Sequence, residues 1–397
     1  MNVLGLAIRN IRGSSFRSLV IFLCVMVVAM FFLSATLIIR GAENSLDVGL
    51  RRLGADIIVV PQGAESKIET ALLMGKPTKI WMPEENLAKL ASIPGVAAVS
   101  PQIYLSSLYG ASCCAVSEMF LVVYDPATDF AISPWLRRNL GRGLTKGEVI
   151  GGTFVFIPPG EKDIKLYGYH LTLKGNLEPT GTGLDQTMFM TLETARDMAA
   201  SSMTTAESPL QIPPGSISAA LVKVSLGADR HKVALQVFRD VLGVVPIESP
   251  NLFGSFRQQI TGVLWGFVVI MGIIWAISAV LIGLIFSMAV NERRREIAVL
   301  RALGATRNFV FRSILSEACL LALGAGVLGI GLAAFGVYLF RDLIALRLGL
   351  PFLFPGALSF LGLFGIGLAL ALGTVVLAAI LPAFRISRQE AAVAMRE

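Results

Sequence analysis

Residues 260–306 read ITGVLWGFVVIMGIIWAISAVLIGLIFSMAV and then, without a break, NERRREIAVLRALGAT. From Ile260 to Val290 there is no Asp, Glu, Lys or Arg, and the run exceeds the roughly 20 apolar residues needed to cross a hydrocarbon core of about 30 Å. Three more blocks share that property: Leu19 to Ile39, Ala318 to Phe340 and Leu358 to Leu381. With 54% hydrophobic and only 15% charged residues among 397, the chain is too apolar for an ordinary soluble globular protein. The sequence therefore predicts an α-helical membrane protein with four transmembrane helices.

The first block follows Arg9, Arg12 and Arg17, as a cleavable secretory signal also would. Its apolar run is longer than a signal core, and Arg40-Gly41-Ala42-Glu43 makes a poor cleavage site, so it reads as an uncleaved signal anchor. Orientation follows from Lys and Arg in the short flanking segments. The amino terminus carries three Arg and no acid, and residues 291–313 carry six Arg against Glu292 and Glu296. Both segments are expected on the cytoplasmic side, as is the carboxyl terminus, in an inner (plasma) membrane. Residues 40–259 hold 20 basic and 21 acidic side chains, so the net charge of +7 arises at the cytoplasmic edges. It is a topology signal and does not point to nucleic acid.

The expected organisation is a cytoplasmic segment over 1–18, helix over 19–39, an extracytoplasmic domain over 40–259 and helix over 260–290. A cytoplasmic segment over 291–313, helix over 314–340, a short outer loop over 341–357, helix over 358–381 and a cytoplasmic tail over 382–397 follow. The inserted 220 residues suffice for a core of their own and read as mixed α+β. Gly54 to Val60 (GADIIVV) is a β-branched run ended by Pro61, the pattern of a buried strand. Pro83-Glu84-Glu85 opens a helix that stops at Pro94-Gly95. Further strands are predicted at 96–99, 119–123, 149–150 with 154–157, 171–177, 188–190 and 216–224. Arg230 to Val241 reads as an amphipathic helix with Val233, Val237 and Val241 on one face.

Cysteines are few: Cys24 and Cys319 in or beside membrane helices, and the adjacent Cys113 and Cys114 in the outer segment. Without CxxC-type spacing no metal site is expected. Cys113 and Cys114 stay open as buried structural thiols, a vicinal or inter-subunit disulfide, or a sulfur contact to a soft metal.

The stretch Glu292, Arg293, Arg294, Arg295, Glu296, Ile297 through Leu300, Arg301, Ala302, Leu303, Gly304, Ala305 and Thr306 resembles the ERRREIxxLRAxGAT element of FtsX-like permeases. That family includes the membrane subunits of MacB-type exporters and of lipoprotein-extracting complexes. The tail, with Pro382, Ala383, Arg385, Ser387 and Ala394-Met395-Arg396, is similar to the family's closing pattern, although Glu390-Ala391 stands where a Pro is common. In the outer segment 53–61, 93–101, 141–152 and 177–185 (LEPTGTGLD) resemble the MacB-like periplasmic core domain.

The resemblance implies a permease subunit of an ABC transporter, dimeric with a second copy or paralogue, docked on a separate ABC ATPase that binds ATP and Mg. No G-x-x-x-x-G-K-[ST] loop occurs in the sequence, so this chain is expected to bind no cofactor and to be no enzyme. Two functions stay open: transmission of ATPase-driven motion to the outer domain to move a substrate, or FtsX-like regulation of a periplasmic or cell-envelope partner such as a cell-wall hydrolase.

Glu292, Arg293, Arg295, Glu296, Ile297, Leu300, Arg301, Leu303 and Gly304 are the candidate ATPase-coupling residues. Apolar Ile297, Leu300 and Leu303 among the charges would plug a cleft while Glu and Arg set the register; the plainer reading is a solvated helix obeying the positive-inside rule. Glu317, at the start of the third block, reads as a carboxylate that snorkels or pairs near Arg312, against the alternative of an ion path. Small residues at four-residue spacing, Gly262 with Gly266 and Gly365 with Ala369 and Gly373, are predicted helix-packing seams.

Overall fold

The computed structural model describes residues 3–13, 15–107, 119–157, 163–292, 299, 304–346 and 351–388. The chain divides into two compact units, Met1–Arg40 with Thr261–Arg341 and Phe354–Glu397, and Gly41–Ile260 with Asp342–Leu353.

The first unit is helical. A short helix α1 (Val3–Gly13) precedes α2 (Ser15–Leu53), whose first 26 residues belong here. The other long helices are α8 (Gly254–Glu292), α9 (Arg307–Leu339) and α11 (Ala357–Arg388), the short helix α10 (Arg341–Leu346) coming between the last two in sequence. Among the described residues, four helical stretches are long and apolar enough to cross a membrane: Ser15–Leu53, Trp265–Met288, Arg307–Leu339 and Ala357–Phe384. Helix is what such segments must adopt in lipid, where each backbone N–H and C=O has to be satisfied within the segment.

Helix α9 is the most enclosed of the four. Its buried residues Ser313, Glu317, Ala318, Leu321, Ala322, Ala325, Gly326, Gly329, Ile330, Ala333 and Val337 follow the three-and-four spacing of one helix stripe. Small residues on that stripe let neighbours approach. A methyl on Gly329 would lie 2.4 Å from the backbone oxygen of Met26 in α2, and one on Gly326 would lie 3.1 Å from Leu368 in α11. Gly367 of α11 in turn faces Ile330. Helix α8 buries much less, leaving Trp265, Phe267, Ile270, Ile273 and Ile277 exposed while Ile282 and Phe286 are covered. A hydrogen bond ties it to α11: Trp275 Nε1 donates to Thr374 Oγ1 at 2.7 Å.

Among the described residues, beyond their own helix, nothing lies within 4 Å of a methyl built at the predicted seam positions Gly262, Gly266, Gly365 and Gly373, and Ala369 is exposed. Close approach within the chain runs through Gly326, Gly329 and Gly367. Four-residue spacing of small side chains permits close approach but does not specify which face finds a partner.

The second unit is built on a nine-stranded sheet of order β11-β1-β10-β3-β4-β8-β5-β7-β6. Its strands are β1 (Ile57–Pro61), β3 (Val96–Ser106), β4 (Phe120–Tyr124), β5 (Glu148–Gly151), β6 (Ile164–Leu166), β7 (Tyr169–Asn176), β8 (Thr187–Thr191), β10 (Ala219–Val224) and β11 (Val244–Glu248). Pairs β4–β8 and β5–β7 are parallel, and the other pairs antiparallel. Strands β2 (Met82–Pro83) and β9 (Ser216–Ile217) form a separate two-stranded ladder.

Both faces of the large sheet are covered, which explains why β1 is an unbroken apolar run. Alternate side chains point to opposite faces. Ile57, Val59, Ile103, Leu121, Val123 and Met188 pack on α4 (Asn86–Ala91), α6 (Leu192–Thr205) and α7 (Arg230–Asp240). Ile58, Val60, Tyr104, Phe120, Val122 and Phe189 pack on the end of α2, on α3 (Glu65–Met74) and on α5 (Ser133–Leu140). The result is a helix–sheet–helix sandwich. Helix α2 stops at Leu53 because Gly54 takes a left-handed φ of 61°, the turn that feeds β1.

Strands 96–106, 120–124, 148–151, 169–176, 187–191 and 219–224 fall on the predicted segments, as does α7. Residues 154–157 are not a strand: Phe154 N and Val155 N bond to Asp185 O and Gly152 O in a turn. Helices α3, α5 and α6 and strands β2, β6 and β11 have no counterpart among the predicted segments.

Candidate functional site

The candidate coupling segment begins at Glu292, the last residue of α8, and ends at Gly304. Arg293, Arg295, Glu296, Ile297, Leu300, Arg301 and Leu303 lie outside the described residues. Gly304 has φ of 95°, a conformation that suits glycine. Two residues later Thr306 caps α9, its Oγ1 accepting from Phe309 N at 3.3 Å. The segment is thus delimited by helix α8 on one side and by a glycine turn and a capped helix on the other.

Glu317 lies one face of α9 inward from that cap. Its carboxylate receives the guanidinium of Arg17 in α2 at 3.1 Å, with side-chain exposures of 7% and 14%. The pairing is across helices, whereas the sequence suggested Arg312; five positions along a helix place Arg312 about 140° away around the axis. Burial of both groups makes this contact one that costs much when broken.

Between α2, α8 and α11 lies an apolar cavity of about 210 Å³ lined by Val28, Phe32, Met271, Trp275, Leu370 and Ala371. Its lining matches lipid chains or neighbouring helices and offers no group for acid–base chemistry.

In the sheet unit, charged groups gather where β4 and β8 end together. Asp125, Lys146, Glu193, Arg196 and Asp197 border a cleft of about 600 Å³. Lys146 Nζ lies 3.0 Å from Asp197, and Tyr169 Oη donates to the same carboxylate at 2.8 Å. Burial, then Asp197, pushes the Tyr169 phenol up to about 12. Beside it, Arg142 grips Glu148 through two bonds of 2.7 and 2.8 Å, with Lys174 at 3.3 Å and Thr145 N at 3.0 Å. That cradle, led by Arg142, holds the Glu148 carboxyl far below the usual carboxylate range. These side chains neutralise one another, which suits a structural rim better than a catalytic pair. Cys113 and Cys114 lie outside the described residues. Among the described residues no three His, Cys, Asp or Glu side chains cluster to hold a metal.

Residues 268–391 match the family described as FtsX-like permease C-terminal. Two uncharacterised ABC transporter permeases of Mycobacterium tuberculosis, from strains CDC 1551 / Oshkosh and ATCC 25618 / H37Rv, are each 23% identical over 346 residues. The alignment covers 83% of this chain and 86% of each relative. Among solved structures, the periplasmic region of MacB from Actinobacillus actinomycetemcomitans covers 52% of this chain and 95% of its own, at 9% identity and a TM-score of 0.32. The extracellular domain of the noncanonic ABC-type transporter YknZ from Gram-positive bacteria covers 49% of this chain and 99% of its own, at 12% identity and a TM-score of 0.28. The chain is a membrane protein similar to ABC transporter permeases, and residues 268–391 match the FtsX-like permease C-terminal family.

Proposed function

We propose that this chain is the membrane subunit of an ATP-driven complex of the FtsX/MacB type, transmitting the motion of a separate ATPase to its sheet domain to move a substrate. The observation that carries the reading is the FtsX-like region at 268–391, which includes the whole arginine-rich segment between α8 and α9. Permeases of this class work with an ATPase, and that segment supplies what a docking element needs: apolar Ile297, Leu300 and Leu303 set among Arg and Glu. The sheet domain lies outside the inner membrane, both termini lie in the cytoplasm, and two permease copies or paralogues share the complex. ATP and Mg bind the ATPase.

Isolation of the native complex in mild detergent tests the reading. It predicts co-purification of an ABC ATPase and ATP-dependent movement of a small molecule or lipid-anchored protein. Recovery of a cell-envelope hydrolase whose activity follows ATP, with no transported substrate, would favour the regulatory role; recovery without any ATPase would refute both.

A further inference from the structure

The motif at 177–185, LEPTGTGLD, is folded into a hub. Asp185, 3% exposed, accepts from Thr180 N at 2.7 Å, Thr180 Oγ1 at 2.8 Å and Gly181 N at 2.6 Å, which curls residues 180–185 into a closed loop. Burial raises the pKa of this carboxyl, and the Thr180 and Gly181 donors with the nearby Arg52 charge oppose the rise. With its own donors satisfied inside the loop, the motif turns backbone oxygens and glycine faces outward.

Three segments dock on those surfaces, all within the sheet unit. The first is the end of α2: Gly41, Ser45, Gly49 and Arg52 are spaced to share one helix face. Ser45 Oγ donates to Thr180 O at 2.9 Å, and Arg52 donates to both Glu178 O and Glu178 Oε2 while its guanidinium lies 4.2 Å from the Trp135 ring centre. A methyl on Gly49 would sit 2.9 Å from Thr182 Cγ2. The second is α3, whose capping Gly75 approaches Gly183 so closely that neither position has space for a side chain. The third is residues 351–353, the connection that leads into α11. Phe352 N donates to Gly181 O at 2.9 Å and Leu353 N to Gly41 O at 3.1 Å. Gly181, with φ of 71°, would place a methyl 2.4 Å from Phe352 O, and Gly41 would place one 2.3 Å from the Phe352 ring.

We propose that the loop Glu178–Asp185 is a permanent clasp that binds the connection before the fourth apolar helix to the extension of the first, so that both move with the sheet as one body. Gly181 and Asp185 are its positioning residues. The sheet is joined through the backbone to α2 and α8; the clasp adds the segment between α9 and α11 as a further attachment. This inference rests on the functional reading above for its purpose, and on the hydrogen bonds alone for its existence.

Two measurements on the full chain in lipid nanodiscs with its ATPase test it. Exchange of the Phe352 and Leu353 amides should be slow with and without ATP trapping, and should speed up by about tenfold or more in Gly181→Val and Asp185→Asn. Exchange in β1 and β4 should hold, which separates clasp opening from unfolding. In the second, Gly49→Cys with Thr182→Cys should form a disulfide on mild oxidation, since the Gly49 Cβ position lies 3.8 Å from Thr182 Cβ. A permanent clasp predicts equal ATP turnover in the oxidised and reduced double variant. Turnover that falls on oxidation and returns on reduction would overturn the proposal, as would fast wild-type exchange at 351–353. A wild-type preparation without ATP turnover would instead count against the functional reading, leaving the exchange result to decide the clasp.

Discussion

Arg17 in the first apolar helix and Glu317 in the third meet at 3.1 Å, across 300 positions of sequence, with both side chains largely removed from solvent. Removing one partner deprives the other buried charge of this contact, which costs up to about 3–5 kcal/mol, whereas removing both spares part of that penalty. Glu317→Ala and Arg17→Ala should each lower the thermal unfolding midpoint in detergent. The double variant should be less destabilised than the sum of the two, by about 1–3 kcal/mol of coupling. Additive losses would show that the pair does not act as a unit.

A second prediction separates the glycines. Gly329→Ala pushes a methyl toward the Met26 carbonyl, a backbone atom that cannot rotate away, and should destabilise by about 1–3 kcal/mol. Gly266→Ala points into open space and should change the stability of the single chain by no more than about 0.5 kcal/mol. Equal effects at the two positions in denaturant titrations would contradict the packing described for α9.

Acid should act on the sheet domain through Glu148. Its folded pKa is depressed, first by the hydrogen bonds from Arg142, so its contribution is present above the unfolded value of about 4.3 and is lost as pH falls below it. Melting temperatures from pH 7 to pH 3 should therefore decline in the wild type and decline less steeply in Glu148→Gln, which starts lower. Parallel curves for the two proteins would show that this carboxylate does not contribute to the acid limb.

Topology gives a fourth prediction. Leu226 is fully exposed on the sheet unit and Ala305 follows the glycine turn before α9. In a background with the four native cysteines changed to Ser, Leu226→Cys should react with an impermeant thiol reagent in intact spheroplasts, and Ala305→Cys only after the membrane is opened. Labelling of both from one side would remove the four-span arrangement.

What the sequence revealed follows from the range of the forces involved. The apolar blocks were legible because a lipid solvent makes each helix self-sufficient, and GADIIVV was legible because a strand covered on both faces must be apolar on both. Helix α6 was not: its buried positions include Thr194, Ala195 and Ser202, small or polar side chains that leave no apolar stripe to read, although Thr191 is a cap in the expected form. The partner of Glu317 and the role of the LEPTGTGLD motif were hidden for another reason. Arg17, Gly41 and Phe352 come from distant parts of the chain, and a glycine needed for close approach looks the same in sequence as one needed for a turn.

In the proposed function, the arginine-rich segment between Glu292 and Gly304 docks an ATPase. The most direct test is co-purification of that ATPase with full-length chains carrying Leu300→Asp, Glu296→Arg or Arg301→Glu, alongside a count of membrane-inserted protein. Docking through this segment predicts normal insertion in all three and at least about a tenfold loss of bound ATPase in Leu300→Asp, as expected when a charge is forced into an apolar contact. Wild-type assembly and ATP turnover in all three variants would contradict it.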